Sequence, residues 1–153
     1  MITITPEMKA AVAAARLAYV ATVSPDGSPN LSPKGSLQAW DDEHLVFADL
    51  ASPVTVRNLR ANPRIELNVV DPFARRGYRF KGRAQVLAGG EVFETVRSAL
   101  HARFGPALRV DHVVLVRVEE AGEVVSPAYA LDPSATVESV TREWREIYGV
   151  TPR

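Results

Sequence analysis

The sequence predicts a mainly β fold, in which about seven mostly antiparallel strands form a small closed or split barrel with helices at its periphery. Three observations carry that reading. Short apolar, β-branched runs recur along the chain, as at Leu17–Val23, Leu45–Ala48 and Leu108–Glu119. Others alternate with period two: Ile65, Leu67 and Val69 oppose Arg64, Glu66 and Asn68, and Tyr78, Phe80, Ala84 and Val86 oppose Arg79, Lys81, Arg83 and Gln85. The early strands are joined by short turns, at Pro25-Asp26-Gly27 and at Asp41–His44, which suit antiparallel neighbours.

Taken in order, Thr5-Pro6-Glu7 opens a first helix as N-cap, first helical position and dipole-matched acid, and the helix runs to Arg16. Leu17–Val23, the run Ser28–Trp40 and Leu45–Ala48 read as three strands in a meander. Ser52-Pro53 starts a second helix that ends at Asn62-Pro63. Strands follow at Arg64–Val69 and Tyr78–Leu87, around the loop Asp71–Gly77. Glu91–Phe104 reads as a helix with Val92, Phe93, Val96, Leu100 and Phe104 on one stripe, stopped by Gly105-Pro106. Leu108–Glu119 carries the run Val113–Val116, expected to be buried on both faces, and a short strand follows at Glu123–Ser126. A last helix is expected over Ser134–Tyr148, with Val137, Val140, Trp144 and Ile147 inward.

The chain has 153 residues, which suits one domain spanning 1–153, with the barrel over about 17–130. Eighteen basic residues balance eighteen acidic ones, which argues against nucleic acid or an acidic membrane as partner. The absence of cysteine excludes disulfides, thiolate nucleophiles and iron–sulfur clusters. No cationic, apolar leader opens the chain, and the run Ala10–Ala15 is too short to span a bilayer, so a cytoplasmic protein is expected. His44, His101 and His112 share no metal-ligand spacing, and no metal site is expected.

The organising stretch is Asn30-Leu31-Ser32-Pro33-Lys34-Gly35-Ser36. Pro33 donates no hydrogen bond and Gly35 packs no side chain, so this strand belongs at an edge, at a bulge, or where something approaches the backbone. Lys34 offers one positive charge there. The helix start at Ser52-Pro53 offers free N–H groups and a positive dipole end, with Ser52 and Thr55 as hydroxyl donors. Together they read as an anion site for a phosphate-bearing cofactor. The plainer reading makes Ser52 a cap and Lys34 a solvated charge. In the basic cluster that follows, Arg75, Arg76 and Tyr78 border a loop and are the functional candidates, whereas Arg83 reads as part of a solvated strand face.

The segments Asn30–Gly35, Leu45–Asp49, Ser52–Arg64 and Arg75–Gly82, in that order and spacing, resemble the pyridoxamine 5'-phosphate oxidase-like family over roughly residues 6 to 130. The resemblance implies an FMN-binding split barrel that works as a homodimer, with FMN in a cleft between subunits. It implies that Asn30, Ser32, Pro33 and Lys34 run along the flavin. Ala48, Asp49, Ser52 and Thr55 would receive the phosphate, with Arg75, Arg76 and Tyr78 assisting. The implied activity is flavin oxidoreduction of an unidentified small molecule, with no side chain singled out as acid or base. The deazaflavin F420 is the alternative cofactor, and a non-enzymatic flavin, F420 or haem binder is the alternative function. The chain departs from the family in carrying Val54-Thr55 where a lysine is usual on the phosphate-binding helix. It also carries Ser126–Asp132 where the vitamin B6 oxidases have an Arg- and Trp-containing segment, so pyridoxamine phosphate is not the expected substrate.

Overall fold

The computed structural model describes residues 2–150. Helix α1 (Pro6–Ala15) begins at Thr5, whose hydroxyl accepts a hydrogen bond from the Met8 N–H. Strands β1 (Ala18–Val23) and β2 (Pro29–Lys34) form a hairpin. A two-residue β3 (Gln38–Ala39) precedes β4 (His44–Asp49), and α2 (Pro53–Ala61) follows. Then come β5 (Arg64–Asp71), β6 (Arg76–Leu87), α3 (Glu91–Phe104) and β7 (His112–Val125). A single-turn α4 (Ala128–Leu131) and α5 (Val137–Ile147) close the described chain.

All seven strands belong to one antiparallel sheet in the order β2-β1-β5-β6-β7-β4-β3. The two edge strands are neighbours in sequence, with only Gly35, Ser36 and Leu37 between Lys34 and Gln38. Laid flat, the edges would stand about 29 Å apart at roughly 4.8 Å per strand spacing. That link spans at most about 14 Å. The sheet must therefore curl until its edges approach. β2 and β3 share no ladder, so the result is a barrel split along one seam.

The barrel interior holds Val20, Leu45, Phe47, Leu67, Phe80, Val114 and Val116, with Ile4 and Val12 of the N-terminal segment packed against them. A second apolar layer lies under α3, where Phe93 and Val96 cover Val46, Ala48 and Val113. β4 and the Val113–Val116 stretch of β7 are thus covered on both faces, which is why each reads as a continuous apolar run. No helix among the described residues is long and apolar enough to cross a membrane.

Several local expectations need correction. The run Ser28–Trp40 is not one strand: it breaks after Lys34, and its second part crosses the seam to pair with β4. The three-strand meander is therefore absent, because β4 pairs with β3 and β7 rather than with β2. The turn signal at 35–37 was hidden by the apolar residues around it. Leu108–Asp111 lies outside the ladder, and the two predicted strands are one, continued through Glu120-Ala121-Gly122 past a β7 bulge at Glu119, which has no ladder partner between the pairs Gly82–Val118 and Lys81–Glu120. The last helix starts later than predicted, at Thr136 in a capping box with Ser139, and only Val140 of its predicted inward set is buried. Phe104, Val137 and Ile147 are exposed.

Candidate functional site

The local sequence fixes which way the organising strand faces. β2 alternates, so Pro29, Leu31 and Pro33 point outward while Asn30, Ser32 and Lys34 point toward α2. Both prolines lie in an edge strand, where a missing N–H costs no ladder bond. Gly35 is not forced by space or conformation, since an added Cβ would meet only the Arg16 carbonyl at 3.8 Å.

Lys34 is 7% exposed, and its Nζ donates to Ser32 Oγ at 2.8 Å and to Ser52 Oγ at 2.6 Å. The Ser52 hydroxyl passes the contact on, donating to Asp49 Oδ1 at 2.8 Å, and the Ser52 N–H donates to the same oxygen at 2.8 Å. Asp49 Oδ2 faces His112 Nδ1 at 3.1 Å, and His112 Nε2 faces Arg60 Nη2 at 3.0 Å. A guanidinium can only donate, so Nε2 accepts and the ring proton on Nδ1 points at Asp49. The β4–β7 register, which sets Asp49 opposite His112, makes this relay possible.

Burial lowers the Lys34 pKa, and the charge of Asp49 works against that shift. Burial also penalises the Asp49 carboxylate, but the hydrogen bonds from Ser52 and His112 outweigh it and hold the pKa below its usual range. The two charges do not touch, because Ser52 stands between them. The third ammonium proton of Lys34 has no protein partner among the described residues. A cation that is partly desolvated and incompletely satisfied gains from a nearby anion.

The nine-residue helix α2 starts beside this group. Ser52 occupies the N-cap position, yet its side chain makes no cap bond because it is committed to Lys34 and Asp49. Val54 and Thr55 therefore keep N–H groups without an intrahelical acceptor. A cleft of about 380 Å³ opens over Asp49, Ser52, Pro53, Arg57, Arg60 and His112. Arg57 has no carboxylate partner among the described residues. A second cleft, of about 340 Å³, runs over Ser32–Ser36, Ala48, Leu50 and Ala51 and meets the first at Ala51. Ser36 Oγ holds the β4 backbone there, accepting from the Ala48 N–H at 3.0 Å.

Of the sequence-predicted residues, Asn30, Ser32, Pro33, Lys34, Ala48, Asp49, Ser52 and Thr55 gather at this corner. Their roles differ. Asn30 ties β2 to α2, donating to Thr55 Oγ1 at 3.3 Å and Thr22 Oγ1 at 3.2 Å. Buried Asn58 joins the same knot through Thr22 and Ser24. Asp49 has both oxygens spent on protein partners, so it orients Ser52 and His112.

Arg75, Arg76 and Tyr78 stand apart from that corner within one protomer. The Arg75 guanidinium stacks 4.0 Å over Trp144, and Arg76 lies over Tyr129 and near Glu123. Tyr78 packs against Phe80 at the barrel core. Arg76 pairs with Val125 at one end of β7, while Asp49 pairs with His112 at the other. Those ends are separated by on the order of 40 Å of strand. Sequence reading did not select Arg60 or His112, because only the register of two strands far apart in the chain brings them to Asp49.

The residues fit an FMN phosphate: Lys34, the open helix start and Arg57 supply donors, and no uncommitted carboxylate oxygen of Asp49 opposes it. At this corner a haem ligand is not provided, because His112 has both ring nitrogens engaged. His44 and His101 each keep one ring nitrogen without a hydrogen-bond partner among the described residues, but neither lines the corner. No group of three or more His, Asp or Glu among the described residues could hold a metal ion.

Comparison with known proteins agrees with the fold. The Group A Streptococcus protein HupZ superposes with a TM-score of 0.73 at 33% identity, over 80% of this chain and 95% of that one. HutZ, the heme storage protein from Vibrio cholerae, shares the fold with a TM-score of 0.62 at 22% identity, over 81% of this chain and 95% of its own. The uncharacterized protein MJ0282 of Methanocaldococcus jannaschii is 28% identical over 109 residues, covering 68% of this chain and 70% of that protein. The pyridoxamine 5'-phosphate oxidase family matches residues 4–125, which takes in the whole barrel and the corner built on Lys34, and the chain belongs to that family.

Proposed function

We propose that the protein is an FMN-dependent oxidoreductase that acts on a small molecule as a homodimer. The observation that carries this reading is Lys34: a buried cation, held by Ser32 and Ser52 beside an uncapped helix start, with a donor to spare. Lys34, Arg57 and the N–H groups of Val54 and Thr55 would bind the phosphate. The Ser32–Ser36 backbone, with Ala48, would border the flavin. When bound, FMN supplies the hydride or electron transfer. The protein's part is to orient the cofactor and exclude water on the side of β2 and β4. His112 and Asp49 hold Ser52 so that its oxygen accepts from Lys34 rather than turning to cap α2.

The dimer is supported by the outer face of the β1–β2 hairpin. Tyr19 lies opposite Pro33, Ala21 opposite Leu31, and Val23 opposite Pro29, an all-apolar patch on which Leu31 is 66% exposed. A second copy packed there would cover it. The partner's surface is also the only route by which Arg75, Arg76 or Tyr78 would assist at the flavin.

The test is the visible spectrum of the purified protein after loading with excess FMN and gel filtration. The wild type should retain a flavin band and elute as a dimer, and Lys34→Ala should lose the band while eluting at the same volume. Retention by Lys34→Ala equal to the wild type would remove the assignment. F420, titrated the same way, is the alternative cofactor. The storage role of the Vibrio cholerae relative makes haem the third titration, although the engagement of His112 by Arg60 and Asp49 favours flavin.

A further inference from the structure

Helix α3 carries its apolar stripe two turns further than the core requires. Phe93 and Val96 are buried, Leu100 is half-buried, and Phe104 is 58% exposed. Between this stripe and the β2–β3 link lies a groove of about 410 Å³, lined by Leu37, Leu50, Val96, Leu100, Phe104 and Arg103. It shares Gly35, Ser36 and Leu50 with the cleft that borders Lys34, so the two are continuous. Its one charged lining residue is Arg103. Arg97 on the same helix is paired with Glu94, and Arg109 with Asp111. Arg103 has no carboxylate among the described residues and lies 4.8 Å over the Phe104 ring. A guanidinium without a counter-ion at the mouth of an apolar groove matches a molecule with an apolar body and one anionic group.

We propose that this groove is the substrate subsite, and that it takes an apolar organic anion, with the carboxylate or sulfonate at Arg103 and the apolar body along Leu37, Leu100 and Phe104 toward the flavin. The proposal rests on the flavin reading above for the word substrate, and on the groove alone for the ligand class.

The test uses 1-anilinonaphthalene-8-sulfonate as probe, titrated by fluorescence into the full chain with and without FMN. One saturable site per chain is expected. Arg103→Gln should weaken it about tenfold, the loss of one charge-assisted contact. Phe104→Ser, at an exposed position that leaves the core intact, should weaken it similarly, and Arg103→Lys should restore part of the affinity. Arg97→Gln removes the same charge from the same helix outside the groove and should change nothing. With FMN loaded, the bound naphthalene emission overlaps flavin absorption and should be quenched. Non-saturable binding, equal weakening by Arg97→Gln, or unquenched emission overturns the proposal. So does a change of oligomeric state in Arg103→Gln, which would make the groove a subunit contact. If the wild type retains no FMN yet binds the probe through Arg103, the flavin reading falls and the anion site stands.

Discussion

At the scale of single residues, the Ser52 hydroxyl keeps the charges of Lys34 and Asp49 apart, and each of the two groups gives the fold a defined pH response. Asp49 has a depressed pKa, so its contribution to stability is complete above the usual carboxylate value of 3.8 and is lost as pH falls through the lower folded-state value. Lys34 is also depressed, by burial. The unfolded chain therefore holds more protons in the window below the usual 10.5, and stability rises with pH there. Thermal denaturation of Asp49→Asn across pH 2 to 5 should show a flattened acid limb relative to wild type, on the order of one carboxylate titration. A parallel acid limb would mean that Asp49 is not the group responsible. The arginines make a second residue-scale prediction. Arg57→Gln should weaken FMN binding about tenfold in a flavin-fluorescence titration. In a variant held monomeric, Arg75→Gln and Arg76→Gln should have little effect, because their guanidinium groups stack on Trp144 and Tyr129. Lys34, Ser52 and Thr55 were legible in the sequence because turn chemistry and helix-start signals are local. Arg60 and His112 were not, since nothing near either residue announces a partner on another element.

At the scale of elements, the strands whose pattern is local came through with near-correct bounds, as β1, β5 and β6 illustrate. The failures share a cause. Where an apolar run continues across a bend, periodicity cannot show the bend. Leu37 and Trp40 carried the predicted second strand past its true end at Lys34, and the β7 run was cut before Ala121-Gly122, although its ladder continues past a bulge at its own Glu119. That bulge explains one glycine. A Cβ at Gly82 would sit 2.0 Å from the Arg117 carbonyl oxygen, a contact that only backbone movement relieves. Gly82→Ala should therefore cost about 3 kcal/mol or more of unfolding free energy, at the upper end of overpacking. Denaturant titration measures it. A loss below about 1 kcal/mol would show that the β6–β7 pair can slide open there without penalty.

At the scale of the whole molecule, two apolar features remain unsatisfied by one chain: the β1–β2 outer face and the α3 groove. They differ in kind. The first is a flat patch made of paired strand residues, suited to a copy of itself; the second is a concave trough with a lone cation. Leu31→Glu, which places a charge at the centre of the flat patch, should convert the proposed dimer to a monomer by light scattering while leaving the far-ultraviolet spectrum unchanged. A dimer that survives this substitution would place the interface elsewhere. The general shape, a mostly antiparallel split barrel with outer helices, was readable from strand patterning and from the family resemblance, but the position of its seam was not. The seam falls at a link of three residues inside what reads as one strand, and the sequence marks it with no more than one glycine.

The seam also sets the order in which the protein can assemble. The β1–β2 hairpin forms from neighbouring residues, whereas β4 must find β7, with Asp49 meeting His112 across 63 positions of chain. Such distant pairing closes late. The corner around Lys34 spans β2 and β4, so it exists only after that step. A ligand seated across the seam gains its contacts after the rate-limiting barrier on the way in, and must surrender them before the barrier on the way out. Its binding therefore slows unfolding and leaves the folding rate nearly untouched.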